Sequence, residues 1–379
     1  MRGFQAVSLK VAGRVPLKTA FCRFHDNDYK LKKDTLDMNI KDKTIELLSG
    51  AGISGYEHEF AKTVCKKLKV FCSDAVVTKT NSVLGHLACG NPEAPTIMLE
   101  AHLDRIGLIV KAVDENGFVA FDLLGGVDER ILPSAEVWIF GKEGCFGVIG
   151  AKPPHITTNE ESKKGLTVED MLIDTGLGER AAELIYVGDP ILLDSKVCEL
   201  LNGRISSAAL DNRVSMAAVF EILEGVKDEV LPVNLTVAFT SGEESGLLGA
   251  YTIIDEPQPD LAVVLDVTYG RTPDAAGAET FPLGSGAAIM RGPNVHYEMT
   301  KRVIEIAKEK GIPYEIEVAP RSSGTTAWAI QNAKSGVPCV VISIPLRYMH
   351  TTVETVDIAD VEAVCRLVRE IVLGGDVVA

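Results

Sequence analysis

The sequence predicts an α/β domain interrupted by a smaller, β-rich domain. Three observations predict it. From about residue 39 to 106, and again from about 201 to the end, apolar β-branched runs alternate with segments of helical spacing. Between about Gly107 and Leu200 the texture changes to short β-like runs separated by glycine-containing turns. In the outer segments, polar residues of metal-ligand type come just after the apolar runs. Open α/β sheets place their ligands there, at the carboxyl ends of strands.

Residues 1–37 stand apart. They carry Arg2, Lys10, Arg14, Lys18, Arg23, Lys30, Lys32 and Lys33 without a periodic apolar face. No apolar stretch ends in a cleavage site, which argues against a secretory signal. Asp26, Asp28, Asp34 and Asp37 dilute a transit-peptide pattern, and a second methionine, Met38, stands where the periodic pattern begins. Residues 1–37 are therefore expected to be an extension outside the fold.

From 38 to 106 the first part of the α/β domain is expected. Ile40, Ile45, Leu47 and Leu48 lead to a glycine loop at Gly50, Gly52 and Gly55. A helix is predicted over Glu57 to Leu68, with Phe60, Ala61, Val64 and Leu68 on one face. Strands follow at Ala75 to Lys79 and Val83 to Ala88, and the run Thr96 to Ala101 delivers His102-Leu103-Asp104. From 107 to 200, runs at Leu108 to Val113, Phe118 to Leu123, Glu136 to Phe140, Phe146 to Ile149 and Pro190 to Leu193 indicate a small β-barrel or sandwich. Its helix-like stretch is Glu179 to Glu183. From 201 to 379 the α/β pattern returns. Helices are predicted at Asn212 to Leu223, His296 to Lys310 and Val356 to Leu373. Strands are predicted at Val233 to Phe239, Leu261 to Leu265, Tyr314 to Val318 and Pro338 to Ile344.

Composition narrows the function. The chain has 379 residues, 46% hydrophobic and 24% charged, a globular balance. A net charge of -15 argues against a nucleic-acid partner and an anionic membrane surface, and suits cations. No apolar run reaches transmembrane length. The eight cysteines are scattered with no CxxC and no Cys/His cluster, so reduced structural thiols in a cytoplasmic protein are expected.

Five sites of ligand type emerge: His102, Asp211, Glu243-Glu244, Asp266 and His350. Singly, each has a bland reading. A lone histidine is usually a satisfied polar residue, Glu-Glu is usually solvated, and Asp211 could cap the helix that follows. Together, imidazoles and carboxylates without thiolates suit zinc, cobalt or manganese. Three carboxylates are enough for two metals sharing one bridge, roughly 3.5–4 Å apart, with a shared activated water. Glu243 and Glu244 divide into one ligand and one general base. Asp104 is placed to orient the His102 imidazole.

The sequence resembles the dinuclear metallo-aminopeptidases that include the TET peptidases and glutamyl aminopeptidases, once misnamed "cellulase M" or endoglucanase. The motifs that carry the resemblance are Ala101-His102-Leu103-Asp104, Lys152-Pro153-Pro154-His155, Ala209-Leu210-Asp211-Asn212-Arg213, Ser241-Gly242-Glu243-Glu244-Ser245-Gly246, Asp266-Val267 and Arg347-Tyr348-Met349-His350. The resemblance implies a three-layer α/β/α dinuclear metallopeptidase domain with a PDZ-like or barrel-like insert. It implies that His102 and Asp266 bind one metal, that Glu244 and His350 bind the other, that Asp211 bridges them and that Glu243 is the base. It further implies peptide substrates cut at the N-terminal residue, and self-association through the insert into dimers and often dodecamers.

Three departures set this chain apart. Arg105 stands where the family usually has Glu. Gly324-Thr325-Thr326-Ala327 stands for the usual Gly-Thr-Asp-Ala and is followed by the bulky Trp328. Thr351-Thr352 stands for Ser-Pro. Arg105, Thr325, Thr326 and Arg347 are accordingly the candidate substrate contacts. Two rival readings remain at this stage. A glycoside hydrolase needs two carboxylates flanking a sugar and no His/Asp set. A non-catalytic peptide-binding assembly protein is motivated by Arg105 and Thr326.

Overall fold

The computed structural model describes residues 38–158, 164–254, 258–273, 275 and 279–378; the expected extension 1–37 lies outside the described residues. The described chain divides into two compact units. One comprises residues 106–196 with 350–352, and the other comprises 38–105, 197–349 and 353–378.

The larger unit is built on an 11-stranded mixed sheet. In chain order its elements are α1 (Ile40–Leu48), α2 (His58–Leu68), β1 (Val76–Val77), β2 (Val83–Leu87) and β3 (Thr96–His102). The strands β4 to β9 belong to the other unit. The larger unit resumes with β10 (Cys198–Leu200), β11 (Arg204–Ser207), α4 (Leu210–Val226), β12 (Asn234–Thr240), α5 (Leu248–Thr252) and β13 (Leu261–Tyr269). It ends with β14 (Ala287–Arg291), α6 (Tyr297–Glu309), β15 (Tyr314–Val318), α7 (Ala327–Ile330), β16 (Cys339–Arg347), β17 (Glu354–Asp357) and α8 (Ile358–Gly374).

At the centre, β12, β3, β13 and β16 run parallel. Their side chains alternate between two helical layers, as a period of two demands. Ile97, Leu99 and Ala101 of β3 pack in one cluster with residues of α1, α2, α4, α6 and α8. Met98 points the other way, into a cluster with Ala250, Ala327 and Ile330 from α5 and α7. The apolar runs thus read as buried strands because both faces are covered. This is the three-layer arrangement that the family resemblance implies.

The smaller unit is a closed barrel of order β4-β5-β8-β7-β6-β9. Its strands are β4 (Gly107–Val113), β5 (Val119–Leu124), β6 (Glu136–Ile139), β7 (Cys145–Ala151), β8 (Met171–Asp174) and β9 (Pro190–Leu193), with α3 (Ala181–Leu184) between the last two. Closure removes open edges. Leu108, Val110, Phe121, Ile139, Ile149 and Ile191 fill its core.

Several elements differ from the sequence reading. The helix expected from Val356 begins at Ile358, because Glu354–Asp357 pairs with β11 and β16 as a strand. Asp357 then caps the helix, its Oδ1 accepting from the Ala359 N–H at 3.1 Å. The other end stops at Gly375, whose φ of 67 suits glycine. Strand β14 is not among the predicted elements; Ala287 to Met290 are buried between β15 and β16. The predicted strand Ala75 to Lys79 shrinks to two residues at the sheet's end.

Candidate metal centre

Register brings the first group together. On β3 and β12, Thr240 pairs with His102, and on β3 and β13, Val264 pairs with Glu100. Two residues beyond that second pair lie His102 and Asp266, side by side. His102 Nε2 is 3.8 Å from an oxygen of Asp266 and 3.0 Å from Asp211 Oδ1. Asp211 comes from a different kind of element. It sits at the start of α4, where Asp211 and Asn212 leave helical geometry with ψ values of 103 and 31. The backbone N–H of Asp211 donates to Glu354 at 3.1 Å, and the Asn212 side chain donates to the carbonyl of Leu265 at 3.0 Å.

The Thr240–Gly246 turn carries Glu243 and Glu244, both half-buried. Its conformation is dictated by buried carboxylates around it. Asp104 accepts the N–H of Glu243 on Oδ1 at 3.0 Å and the N–H of Glu244 on Oδ2 at 3.1 Å. Glu57 accepts the N–H of Gly242 at 3.0 Å and that of Gly55 at 2.8 Å. Asp104 also lies 3.5 Å from His102 Nδ1. The ligand loops are bounded by non-glycine residues in the left-handed region: Ala209 (φ 63) before Asp211, Leu247 (φ 63) after the glutamates, and Tyr348 (φ 60) and His350 (φ 62). Such conformations cost of order 1 kcal/mol or more and persist where the surroundings impose them.

Two sets of ligand atoms result. His102, Asp211 and Asp266 each offer one atom within 4.8 Å of the others, and all three are buried. Asp211 and Glu244 likewise offer oxygens within 4.8 Å of each other. His350 belongs by its contacts with the barrel unit. There its Nδ1 donates to the Gly126 carbonyl at 2.9 Å, which puts the ring's lone pair on Nε2. A Cβ on residue 126 would lie 2.7 Å from that Nδ1, so glycine is required beside the imidazole.

The electrostatics fit a cation. Burial pushes the Asp266 carboxyl well above its usual range, and the charges of Asp211 and Glu243 add to the rise against the pull of His102. Burial likewise pushes Glu243 up to about 8; Glu244, Asp211 and Asp104 add to the rise and His102 opposes it. Burial would lower His102, yet the close carboxylates of Asp104 and Asp211 and the charge of Glu243 hold it well above its usual value. Buried carboxylates crowded round one imidazole repel one another, and a divalent ion offsets that repulsion. The donor set is nitrogen and oxygen without sulfur, which suits a catalytic site of borderline metals.

The candidate substrate residues are placed differently from the candidate ligands. Arg105 is 4% exposed and pairs as a bridge with Ile53, while Thr325 and Thr326 are 5% and 1% exposed. Arg347 is half-buried, and its Nε donates to the carbonyl of Arg271 at 2.5 Å. Trp328, in the first turn of α7, is 38% exposed. Sequence reasoning missed Glu57, Glu100 and Glu354 as buried acceptors; the signal was there for Glu100, a lone acid inside an apolar strand run.

Imidazole and carboxylates gathered at the ends of parallel strands, with a further glutamate beside them, are the equipment of a metal-dependent hydrolase. The chain belongs to the M42 glutamyl aminopeptidase family, which residues 82–367 match. It is 29% identical over 330 residues to the lysyl aminopeptidase of Pyrococcus furiosus, an alignment covering 86% of this chain and 94% of that protein. Among solved structures it resembles a TET aminopeptidase from a marine-sediment Thaumarchaeota archaeon, with a TM-score of 0.83 and 30% identity over 90% of this chain and 99% of the other. It also resembles the Pyrococcus horikoshii TET1 peptidase, described as assembling into a tetrahedron or a large octahedral shell, with a TM-score of 0.76 and 26% identity over 88% and 99% of the two chains. The protein is a metal-dependent aminopeptidase, which removes the glycosidase and non-catalytic readings.

Proposed function

We propose that each subunit uses two divalent ions, zinc or cobalt ahead of manganese, to remove N-terminal residues from peptides. His102 and Asp266 hold one ion, Glu244 and His350 the other, and Asp211 is shared. The observation that carries this reading is the position of Asp211, whose carboxylate lies within reach of both His102–Asp266 and Glu244. When bound, the ions supply Lewis acidity that activates a water and polarises the scissile carbonyl. Glu243 takes the proton from the attacking water and returns it to the leaving amine. Its place in the turn held by Asp104, next to the proposed ligand Glu244, supports that role. Asp104 holds His102 in orientation and fixes the turn that presents Glu243. A metal or a nearby carboxylate receives the free amine of the peptide, which restricts cleavage to the first residue. Arg105, Thr325, Thr326 and Arg347 are the proposed substrate contacts, set by the departures from the family pattern at 105 and 326.

Self-association through the barrel unit into dimers and dodecamers is the assembly we propose, supported by the shells described for the P. horikoshii relative. The cytoplasm is the proposed location, supported by buried thiols at Cys65, Cys72, Cys339 and Cys365. No described helix is long and apolar enough to cross a membrane.

The test is a panel of aminoacyl chromogenic substrates, assayed on metal-stripped protein and after adding back zinc, cobalt or manganese. Glu243→Gln should keep metal binding and lose activity by roughly 100- to 10,000-fold, the usual share of general base catalysis. Full turnover by that variant would sink the assignment.

A further inference from the structure

Glu100 lies in the middle of the apolar strand β3 and is fully buried. A carboxylate there is costly unless its oxygens are satisfied. Both are. Thr240 Oγ1 donates to Oε1 at 2.6 Å, and Thr326 Oγ1 donates to Oε2. The two threonines are themselves 0% and 1% exposed. Three segments therefore meet at one side chain. β3 continues from Glu100 to His102. β12 ends at Thr240, just before the turn bearing Glu243 and Glu244. Thr326 is the residue from which α7 starts, between Thr325 and the exposed Trp328.

We propose that Glu100 is a positioning residue of the aminopeptidase site. It ties the strand ends that present His102 and the two glutamates to the Thr325–Trp328 segment. This rests on the assignment of those residues to the site. The tie also accounts for a threonine at position 326. An aspartate there would set a second buried carboxylate against Glu100, and like charges at that range repel. The contact accommodates a single acid, and this chain carries it on the strand.

A swap of the acid tests the proposal. Glu100→Ala, Glu100→Gln, Thr326→Asp and the double variant Glu100→Ala/Thr326→Asp are compared for kcat, KM, zinc affinity by calorimetric titration, and thermal midpoint. Glu100→Ala should lower kcat roughly 10- to 100-fold, the scale of a small misplacement of catalytic groups, with KM changed by less than about threefold. Thr326→Asp should lose at least as much, and Glu100→Gln, which keeps shape and one acceptor, should lose less than Glu100→Ala. The double variant should recover to within about threefold of the parent, because interacting sites are not additive. A double variant that carries the summed losses of the two single variants overturns the proposal, as does wild-type kcat in Glu100→Ala. Where a single variant does not fold, a folded double variant supports the proposal and an unfolded one overturns it. If the parent hydrolyses nothing with any added metal, the site assignment fails, and the thermal midpoints still decide whether the acid can be moved.

Discussion

Asp104 serves three groups at once. Its two oxygens receive the backbone N–H of Glu243 and of Glu244, and one of them faces His102 Nδ1. It is wholly buried, and although burial would raise its pKa, the adjacent His102 imidazole and its charge hold it below the usual carboxylate range. The backbone of the two adjacent glutamates is thus held by a residue 139 and 140 positions away in the chain. Asp104→Asn keeps the shape but turns one acceptor into a donor against an N–H or the imidazole. Zinc affinity should fall about 10- to 100-fold, as outer-sphere changes at metal sites do, and titration calorimetry measures it. An unchanged affinity would mean that the turn is held by other contacts, such as Glu57 to Gly242. The role of Asp104 toward His102 was readable from their spacing; its hold on the glutamate turn was not, because a backbone acceptor leaves no pattern in sequence.

Elements were legible where burial is two-sided and obscure where pairing decides. The central strands β3, β12, β13 and β16 show as apolar runs because helices cover both faces. β17 does not, since Glu354–Asp357 is short and polar and becomes a strand through its partners β11 and β16. Helix α8, which follows, carries a second consequence of tertiary packing. Asp360 in its first turn accepts the N–H of Gly284 and of Gly286, each at 2.7 Å. Burial pushes this carboxyl up to about 6 from an ordinary 3.8, despite the lowering by the two N–H groups. An acid with a raised folded pKa binds its proton more tightly in the folded state. Its contribution is therefore full below the unfolded value and is lost as the pH rises through the folded one. Urea unfolding should show the stability difference between parent and Asp360→Asn declining from about pH 4 to about pH 6 and level above about pH 7. A difference that is flat or rising across that window would refute the shift.

At the scale of the whole molecule, binding of metal to the folded state alone must raise stability by mass action. Zinc at about 1,000 times its dissociation constant should add about 4 kcal/mol for one site, and chelation should remove it. Differential scanning calorimetry with zinc and then with chelator reads this directly; a thermal midpoint indifferent to both would show that the folded protein holds no such ion. Light scattering on the same samples tests self-association, and a monomer at every concentration would refute the assembly proposed from the barrel unit.

The sequence by itself determined the α/β class, the interrupting β-rich segment, the family and the residues of ligand type. Each of these is written in local patterns: period-two burial, glycine-punctuated strands, and polar residues at the ends of apolar runs. Only the tertiary structure decided how they are held. The break at Asp211, the closure of six short strands into a barrel, and the buried carboxylates Glu57, Glu100, Asp104 and Glu354 that fix the ligand loops depend on partners distant in the chain. Hydrogen bonds between such partners are set by register and burial, and neither is recorded in the residues on one side of the contact.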